Sequence, residues 1–432
     1  MTIDIVDKGH NLHLENKDFS SLDPHLRRLR TLPYVFTSSL LQKFPRTTPG
    51  IYTVTGGRQI GKTTLLKQWI ASLLEQGVNP KNIVFLTGET IVDHMSLISV
   101  IQDQLSSMDQ DQIGFLIVDE VTYIKEWDRG IKYLADLGKF ENTIVMLTGS
   151  DLMLMQDARK RFPGRRGAAE QVDFHLFPLS FKEFVDMKEG TNIHAIDTLF
   201  RLFDTYLQHG GFMTAINDFA QYGHIKKSTY TTYSDWIRGD CLKRYKKESY
   251  LQEFLKAIMV TYGTQITWNS LTRRVSFIEH HRTLQDYADL LASMDAVLIQ
   301  SALLEHKLVG APKKAKKLWF TDPFIFHAIK TWLCPEMVGP NTSVFVENIV
   351  VAHSMRHYPT YYIKAEGEVD VAYIKDNQFW PIEVKWTNQL HPKDLKQVQK
   401  YKNGLILGKN KEATQINGLP CLPLPQYLYE NS

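Results

Sequence analysis

Short apolar runs alternate with longer helical stretches through the first part of the chain. Gly50–Thr55, Ile83–Thr87, Phe115–Asp119 and Thr143–Thr148 are rich in β-branched and aromatic residues and too short for helices. They read as buried strands. Thr63–Gln76, Ser96–Met108 and Ile131–Leu137, lying between and after them, carry helical spacing. Strands alternating with helices predict an α/β fold, a parallel sheet flanked by helices. Near Pro178 the pattern changes. Phe181 to about Phe219 reads as helical with a break at Gly210-Gly211, and Tyr230–Leu304 as mostly helical, with Thr267 and Thr283 as N-caps. From Lys317–Phe320 onward strands and helices mix again, with a helix at Val344–Met355 and strands at Val369–Ile374 and Pro381–Lys385.

The first predicted strand runs into Gly56-Gly57-Arg58-Gln59-Ile60-Gly61-Lys62-Thr63, followed by Thr64 and the first predicted helix. This is the P-loop pattern G-x-x-x-x-G-K-[ST] in its required strand–turn–helix context. Glycines let backbone N–H groups turn inward around phosphate oxygens, and the helix points its positive end at the same anion. Lys62 is expected on the β- and γ-phosphates and Thr63 on Mg²⁺. The strand Phe115–Val118 then ends in Asp119 and Glu120. Adjacent acids at a strand end are weak evidence alone. Behind a P-loop they predict a carboxylate at the metal shell, Asp119, and a water-activating base, Glu120. The guanine-reading N-K-x-D pattern is absent, so ATP is the expected nucleotide. Thr148 or Ser150, at the end of the next strand, is expected to contact the γ-phosphate or the water, with a small residue at a strand end as the plain alternative. An arginine cluster follows, Arg159, Arg161, Arg165 and Arg166. A guanidinium from it, Arg165 or Arg161, is expected to neutralise the transferring phosphoryl group, in cis or from a neighbouring subunit in an ATP-dependent homo-oligomer.

Composition changes this picture little. The net charge of +3 neither demands nor excludes nucleic acid. Two basic runs, Lys243-Arg244 with Lys246-Lys247, and Lys313-Lys314 with Lys316-Lys317, are ordinarily solvated faces, with phosphate binding as the alternative. Three widely spaced cysteines suit neither a zinc site nor a disulfide framework. The polar start of the chain is no signal peptide, and no stretch of ~18 uncharged apolar residues spans a membrane. A cytoplasmic protein without a membrane partner is expected.

With the P-loop, Asp119-Glu120 and Leu147-Thr148-Gly149-Ser150 come Gly164-Arg165, Phe177-Pro178-Leu179-Ser180-Phe181-Lys182-Glu183-Phe184, Gly210-Gly211-Phe212 and Trp319-Phe320-Thr321-Asp322. On these blocks the chain resembles bacterial and archaeal AAA-type ATPases that carry a winged-helix segment and a C-terminal nuclease-like domain. Met213 stands where that family often has proline. Residues 1–25 read as a polar arm, and beyond them the resemblance implies a P-loop core over 26–180, a helical lid over 181–230, a winged-helix-like segment over 231–312 and a nuclease-like domain over 313–432. A winged helix implies DNA as partner, yet Asp286 and Asp289 beside Arg282 would face phosphates badly, so internal packing stays open. Ser180 with Glu183 three residues on predicts a capping box.

In the C-terminal part, Asp370 and Glu383 enter two strands that make a hairpin, with Glu383 and Lys385 on one face and Glu347 on the preceding helix. Two hard oxygen ligands suit a second Mg²⁺, or Mn²⁺, and a lysine nearby suits a metal-assisted attack on a phosphodiester. Glu347, Asp370, Glu383 and Lys385 resemble the PD-(D/E)xK nuclease pattern, with Val369 in place of its proline. A hairpin with charged faces is the plain alternative. Function then divides in two: an ATPase coupled to a DNA-directed, cutting domain, or a signalling NTPase whose C-terminal domain is a scaffold.

Overall fold

The computed structural model describes residues 11–14, 18–162, 164, 169–192, 194–387 and 395–431. The chain forms two compact units, Met1–Phe177 and Pro178–Ser432. The change of pattern near Pro178 marks their boundary.

In the first unit, helices α1 (Phe19–Leu22), α2 (Pro24–Leu29) and α3 (Leu40–Lys43) precede β1 (Gly50–Thr55). Then come α4 (Lys62–Glu75), β2 (Ile83–Thr87), α5 (His94–Ser107), β3 (Gly114–Asp119), α6 (Trp127–Asp136), β4 (Thr143–Gly149), α7 (Leu152–Arg159) and β5 (Asp173–His175). The strands form one parallel sheet in the order β2-β3-β4-β1-β5. Every residue of β1, β3 and β4 is buried. Alternate side chains feed two cores, as a sheet covered on both faces requires. Leu116, Val118, Val145 and Leu147 enter one core with α5 and α6. Tyr52, Val54, Phe115, Ile117 and Met146 enter the other, where Trp69 of α4 stands edge-on to Phe44 and Phe115. Because β1 lies between β4 and β5, its carboxyl end is the point where strand order reverses, the usual ligand crevice of such sheets.

The described part of the N-terminal arm is packed, not free. The Asn11 side-chain amide donates to Phe85 O and accepts from Phe85 N–H, each at 2.9 Å, along the outer edge of β2. His13 Nε2 lies 2.8 Å from Ile83 O. Phe19 and Leu26 are buried, and they carry Asp23 inward to an ion pair with Lys67 of α4 at 3.4 Å, both side chains nearly inaccessible. Apolar residues spaced among polar ones are what made this segment read as polar.

The second unit opens with α8 (Phe181–Glu189), α9 (Ile196–His209), α10 (Met213–Tyr222), α11 (Lys227–Lys243), α12 (Glu248–Val260), α13 (Trp268–Thr272) and α14 (His281–Ser293). The Ser180 capping box forms: Glu183 N–H donates to Ser180 Oγ, and Ser180 N–H to the Glu183 carboxylate. Thr267 caps α13 with Ser270. Thr283 caps nothing, because α14 starts two residues earlier, after His280. The expected helical stretch to Leu304 also ends early, at β6 (Val297–Ser301). A short pair, β7 (Leu303–Leu304) and β8 (Val309–Gly310), leads to β9 (Lys316–Phe320), antiparallel to β6.

After α15 (Pro323–Leu333) and α16 (Thr342–His357) come β10 (Thr360–Lys364), β11 (Glu368–Lys375), β12 (Gln378–Lys385), β13 (Leu405–Gly408), β14 (Thr414–Ile416), β15 (Leu419–Pro423) and α17 (Leu424–Asn431). They build a mixed six-stranded sheet in the order β10-β11-β12-β13-β15-β14. Two blocks quoted from the sequence meet here. The Asp322 carboxylate accepts from Gly211 N–H at 2.8 Å and from Phe324 N–H, capping α15. At Gly210, φ is 65° and a Cβ would stand 1.8 Å from Asp322 Oδ1, so Gly-Gly and Thr-Asp are two halves of one contact.

Candidate nucleotide site and a second carboxylate cluster

The loop after β1 needs its glycines. A Cβ at Gly56 would meet Leu176 O at 2.5 Å, and Gly61 sits at φ 103° just before α4. At the loop's end Lys62 is buried, its Nζ 3.1 Å from both Gly56 O and Gly57 O. Thr63 Oγ1 donates to Asp119 Oδ2 at 2.6 Å. The other Asp119 oxygen accepts from Thr148 Oγ1 at 2.5 Å, and Thr148 Oγ1 in turn accepts from Glu120 N–H. Ser150 Oγ donates to Glu120 Oε2 at 3.0 Å, and Lys62 Nζ lies 3.3 Å from Glu120 Oε1. The structure thus brings Lys62, Thr63, Asp119, Glu120, Thr148 and Ser150 together at the carboxyl ends of β1, β3 and β4. Burial alone would raise the Glu120 carboxyl, but Lys62, the Ser150 hydroxyl and Arg58 outweigh it and hold it below the usual carboxylate range. Glu120 itself has a left-handed backbone, φ 52°, which turns the chain sharply after β3. Gly57 is buried, Ile60 leans on the α4 core, and Gln59 faces outward.

The arginines divide. Arg159 pairs with Asp173 at 2.9 Å and donates to Thr53 Oγ1, so it is spent along β1 and β5. Arg161 pairs with Asp128. Arg165 lies outside the described residues. The sequence reading missed Tyr123, which accepts a hydrogen bond from Arg58 Nη2 just beyond the two acids.

The second unit holds another cluster. The described register of β11 and β12 ends with Val371 opposite Ile382, and Asp370 and Glu383 are the next residues on the two strands. Asp370 Oδ2 accepts from Val384 N–H at 2.9 Å. Glu383 is 3% exposed; its Oε1 lies 2.6 Å from Lys385 Nζ, and its Oε2 is buried without a hydrogen-bond partner in the structure described. Glu347, from α16, lies 2.7 Å from Lys317 Nζ of β9, which also reaches Glu368 at 2.6 Å. Lys317 is therefore not part of a solvated basic run: it is 2% exposed between two acids. The clue was its place two residues before Trp319, on the same face of a strand. Burial, then Asp370, push Glu347 up to about 8 and Glu383 up to about 9, against the pull of Lys317 and Lys385. Burial opposes the Lys317 charge, but Glu347, Asp370 and Glu368 outweigh it and raise its pKa. Among the described residues no group of three or more His, Cys, Asp and Glu is arranged to hold a metal ion. The reason is local: Glu347 is turned to Lys317, Glu383 to Lys385 and Asp370 to a backbone N–H.

No described helix is long and apolar enough to cross a membrane. Residues 344–427 match a domain of unknown function, DUF4143. An uncharacterized protein of Haemophilus influenzae is 26% identical over 407 residues, covering 88% of this chain and 94% of its own. Among solved structures, a Walker-type ATPase of Pyrococcus abyssi aligns with 76% of this chain and 96% of its own at 14% identity and a TM-score of 0.43. The Orc1 protein of Aeropyrum pernix, solved in complex with DNA, aligns with 74% and 96% at 12% identity and a TM-score of 0.33. Residues 48–185 match the family model of an AAA domain. With the parallel sheet and the P-loop at its switch point, that match makes the first unit an AAA-type P-loop nucleotide-binding domain.

Proposed function

We propose that the first unit hydrolyses ATP, with Lys62 on the phosphates, Thr63 and Asp119 at Mg²⁺ and Glu120 as the base. The observation that carries this is the closed chain of contacts from Thr63 through Asp119 and Thr148 to Glu120, Ser150 and Lys62. Mg²⁺ fits these residues: the two oxygens of Thr63 and Asp119 stand 2.6 Å apart, close to the roughly 3 Å between adjacent corners of an Mg²⁺ octahedron. When bound, the ion supplies neutralisation of the β- and γ-phosphate charge. Lys62 now rests on Glu120 and on loop carbonyls; a γ-phosphate offers the ammonium a stronger partner and frees the carboxylate to take a proton from water. Ser150 keeps that carboxylate aimed, and Thr148 fixes the backbone on which it sits. Glu120→Gln is the direct test. It keeps shape and loses the base, so ATP binding should survive while turnover falls at least ~100-fold. Normal turnover by that variant would reduce Glu120 to a neighbour of the site.

A second reading concerns the other unit: metal-dependent cutting of a DNA phosphodiester, driven or gated by ATP, with α11–α14 and the β6–β9 pair serving as a winged helix. The supporting observation is the orphaned, buried Oε2 of Glu383 beside Asp370. A divalent cation would be held by Asp370 and Glu383, and it would polarise the phosphate. Lys385 stays within reach to orient a water. If purified protein with Mg²⁺ or Mn²⁺ leaves plasmid DNA intact, with and without ATP, the unit is better read as a binding scaffold.

A further inference from the structure

In the second unit a lysine stands where a cation is wanted. Lys317 lies on β9, opposite Gln300 of β6, and its side chain is buried. The ammonium donates to Glu347 Oε1 at 2.7 Å and lies 2.6 Å from Glu368 Oε1, the range of charge-assisted hydrogen bonds. The rings of Trp319 and Tyr362 lie 5.7 and 5.6 Å away. The other Glu368 oxygen accepts from the Gln265 side-chain amide, so that carboxylate is engaged on both sides. Moving the ammonium out to water would leave the two carboxylates facing each other unanswered.

We propose that the Lys317 ammonium is a permanent cation of this cluster, so that the cluster takes one divalent ion, at Asp370 and Glu383, and not two. This rests on the metal reading of the second unit given above. Four carboxylates, Glu347, Glu368, Asp370 and Glu383, gather around two ammoniums, Lys317 and Lys385. With all of them ionised the excess is two negative charges, which one divalent ion cancels. A second ion would leave an equal excess of positive charge in a buried place. The oxygens divide in the same way. Glu383 is 3% exposed, and its Oε2 is buried with no hydrogen-bond partner among the described residues. Glu347 Oε1 and both Glu368 oxygens already have donors. The Asp370 charge acts on Glu347, Glu383 and Lys317 alike, which sets it between the ammonium and the proposed ion. Two-metal hydrolases hold their ions ~3.5–4 Å apart between shared oxygens; in this cluster a nitrogen fills the second place. Lys317, shut off from solvent, is thus a positioning residue that sets the number of ions.

The experiment counts Mn²⁺. Every chain is full length, free of nucleotide, and carries Asp119→Asn, which removes the carboxylate of the ion expected in the first unit. Mn²⁺ bound per chain is read by electron paramagnetic resonance, which also reports the spin coupling of two ions ~4 Å apart. With Lys317 in place we expect one ion and no coupling. Lys317→Met should bind two coupled ions, because Glu347 and Glu368 are then without a cation. Lys317→Arg keeps the charge and should stay at one. Glu383→Gln should weaken the single ion by at least ~10-fold. Circular dichroism checks the fold of each variant. Lys317→Gln, uncharged but still a donor, replaces Lys317→Met if that chain does not fold, with the same expectation. Two coupled ions in the chain with Lys317 overturn the proposal. So does a count of one in the folded Lys317→Met or Lys317→Gln chain, since the lysine then holds no second place. No ion with Lys317 and one without it overturns the proposal too, by making the lysine the sole cation. No Mn²⁺ in any of these chains defeats the metal reading itself, a separate failure, and the proposal falls with it.

Discussion

Both units gather carboxylates around a lysine, and they treat the charge in opposite ways. In the first, hydroxyls of Thr63, Thr148 and Ser150 and the ammonium of Lys62 satisfy Asp119 and Glu120, so Glu120 is held ionised. In the second, Glu347, Glu368, Asp370 and Glu383 outnumber Lys317 and Lys385, one carboxylate oxygen has no partner, and two acids are pushed toward the neutral form. On the proposed ATPase reading the first site is preorganised, its groups already holding the charges that phosphate chemistry asks for. The second carries unmet negative charge, which a proton or a cation must relieve. On the readings proposed above, an anion would complete the first and a cation the second.

The largest effect expected from this contrast is at the first cluster. Lys62→Ala should bring ATP turnover to background, a loss well beyond ~100-fold, while Lys385→Ala leaves turnover near wild type. Equal damage from both would erase the distinction. Next comes Asp370→Ala: metal-dependent DNA cutting should disappear and Mn²⁺ binding, followed by calorimetry, should weaken at least ten-fold, on the order of 1.4 kcal/mol, with ATP hydrolysis retained. Unaltered Mn²⁺ binding would make these acids a charged hairpin face.

The smallest effect is on stability. Glu347 and Glu383 have folded pKa values of about 8 and about 9, above the ordinary 4.5. The folded state then holds protons that the unfolded chain has released. Their contribution is fully present below about pH 4.5 and is lost as pH rises through 8 and 9. Without metal, the melting temperature of the second unit should fall by a few degrees between pH 6 and pH 9, and Glu383→Gln should flatten that slope. A steeper slope in the variant would reverse the sign of the argument.

Most residues of the first cluster could be named from the sequence, for a physical reason. Strands buried on both faces must be continuous apolar runs, and a phosphate loop must have glycines where φ is positive, so both leave marks on composition. The second site was legible as residues but not as geometry. Glu347, Asp370, Glu383 and Lys385 could be named, yet nothing in their spacing tells that each carboxylate is turned to its own partner. Lys317 hid inside a lysine run although it occupies a core-facing strand position. Val297–Ser301 was absorbed into a helix because short apolar runs do not declare their period. Asp173–His175, three residues long, left no pattern at all. The tether between Arg58 and Tyr123 joins residues 65 positions apart and has no local signature.

The Asn11 amide on the edge of β2 has a further consequence. An open edge strand offers a row of N–H and C=O groups to any other extended chain. Here a side chain imitates one peptide unit of a neighbouring strand, taking both the donor and the acceptor of Phe85, while His13 occupies Ile83 O. Among the described residues the sheet has five strands, and the segment seated on its β2 edge belongs to the same chain. At Ile83 and Phe85 these groups are therefore not on offer to a strand from another molecule.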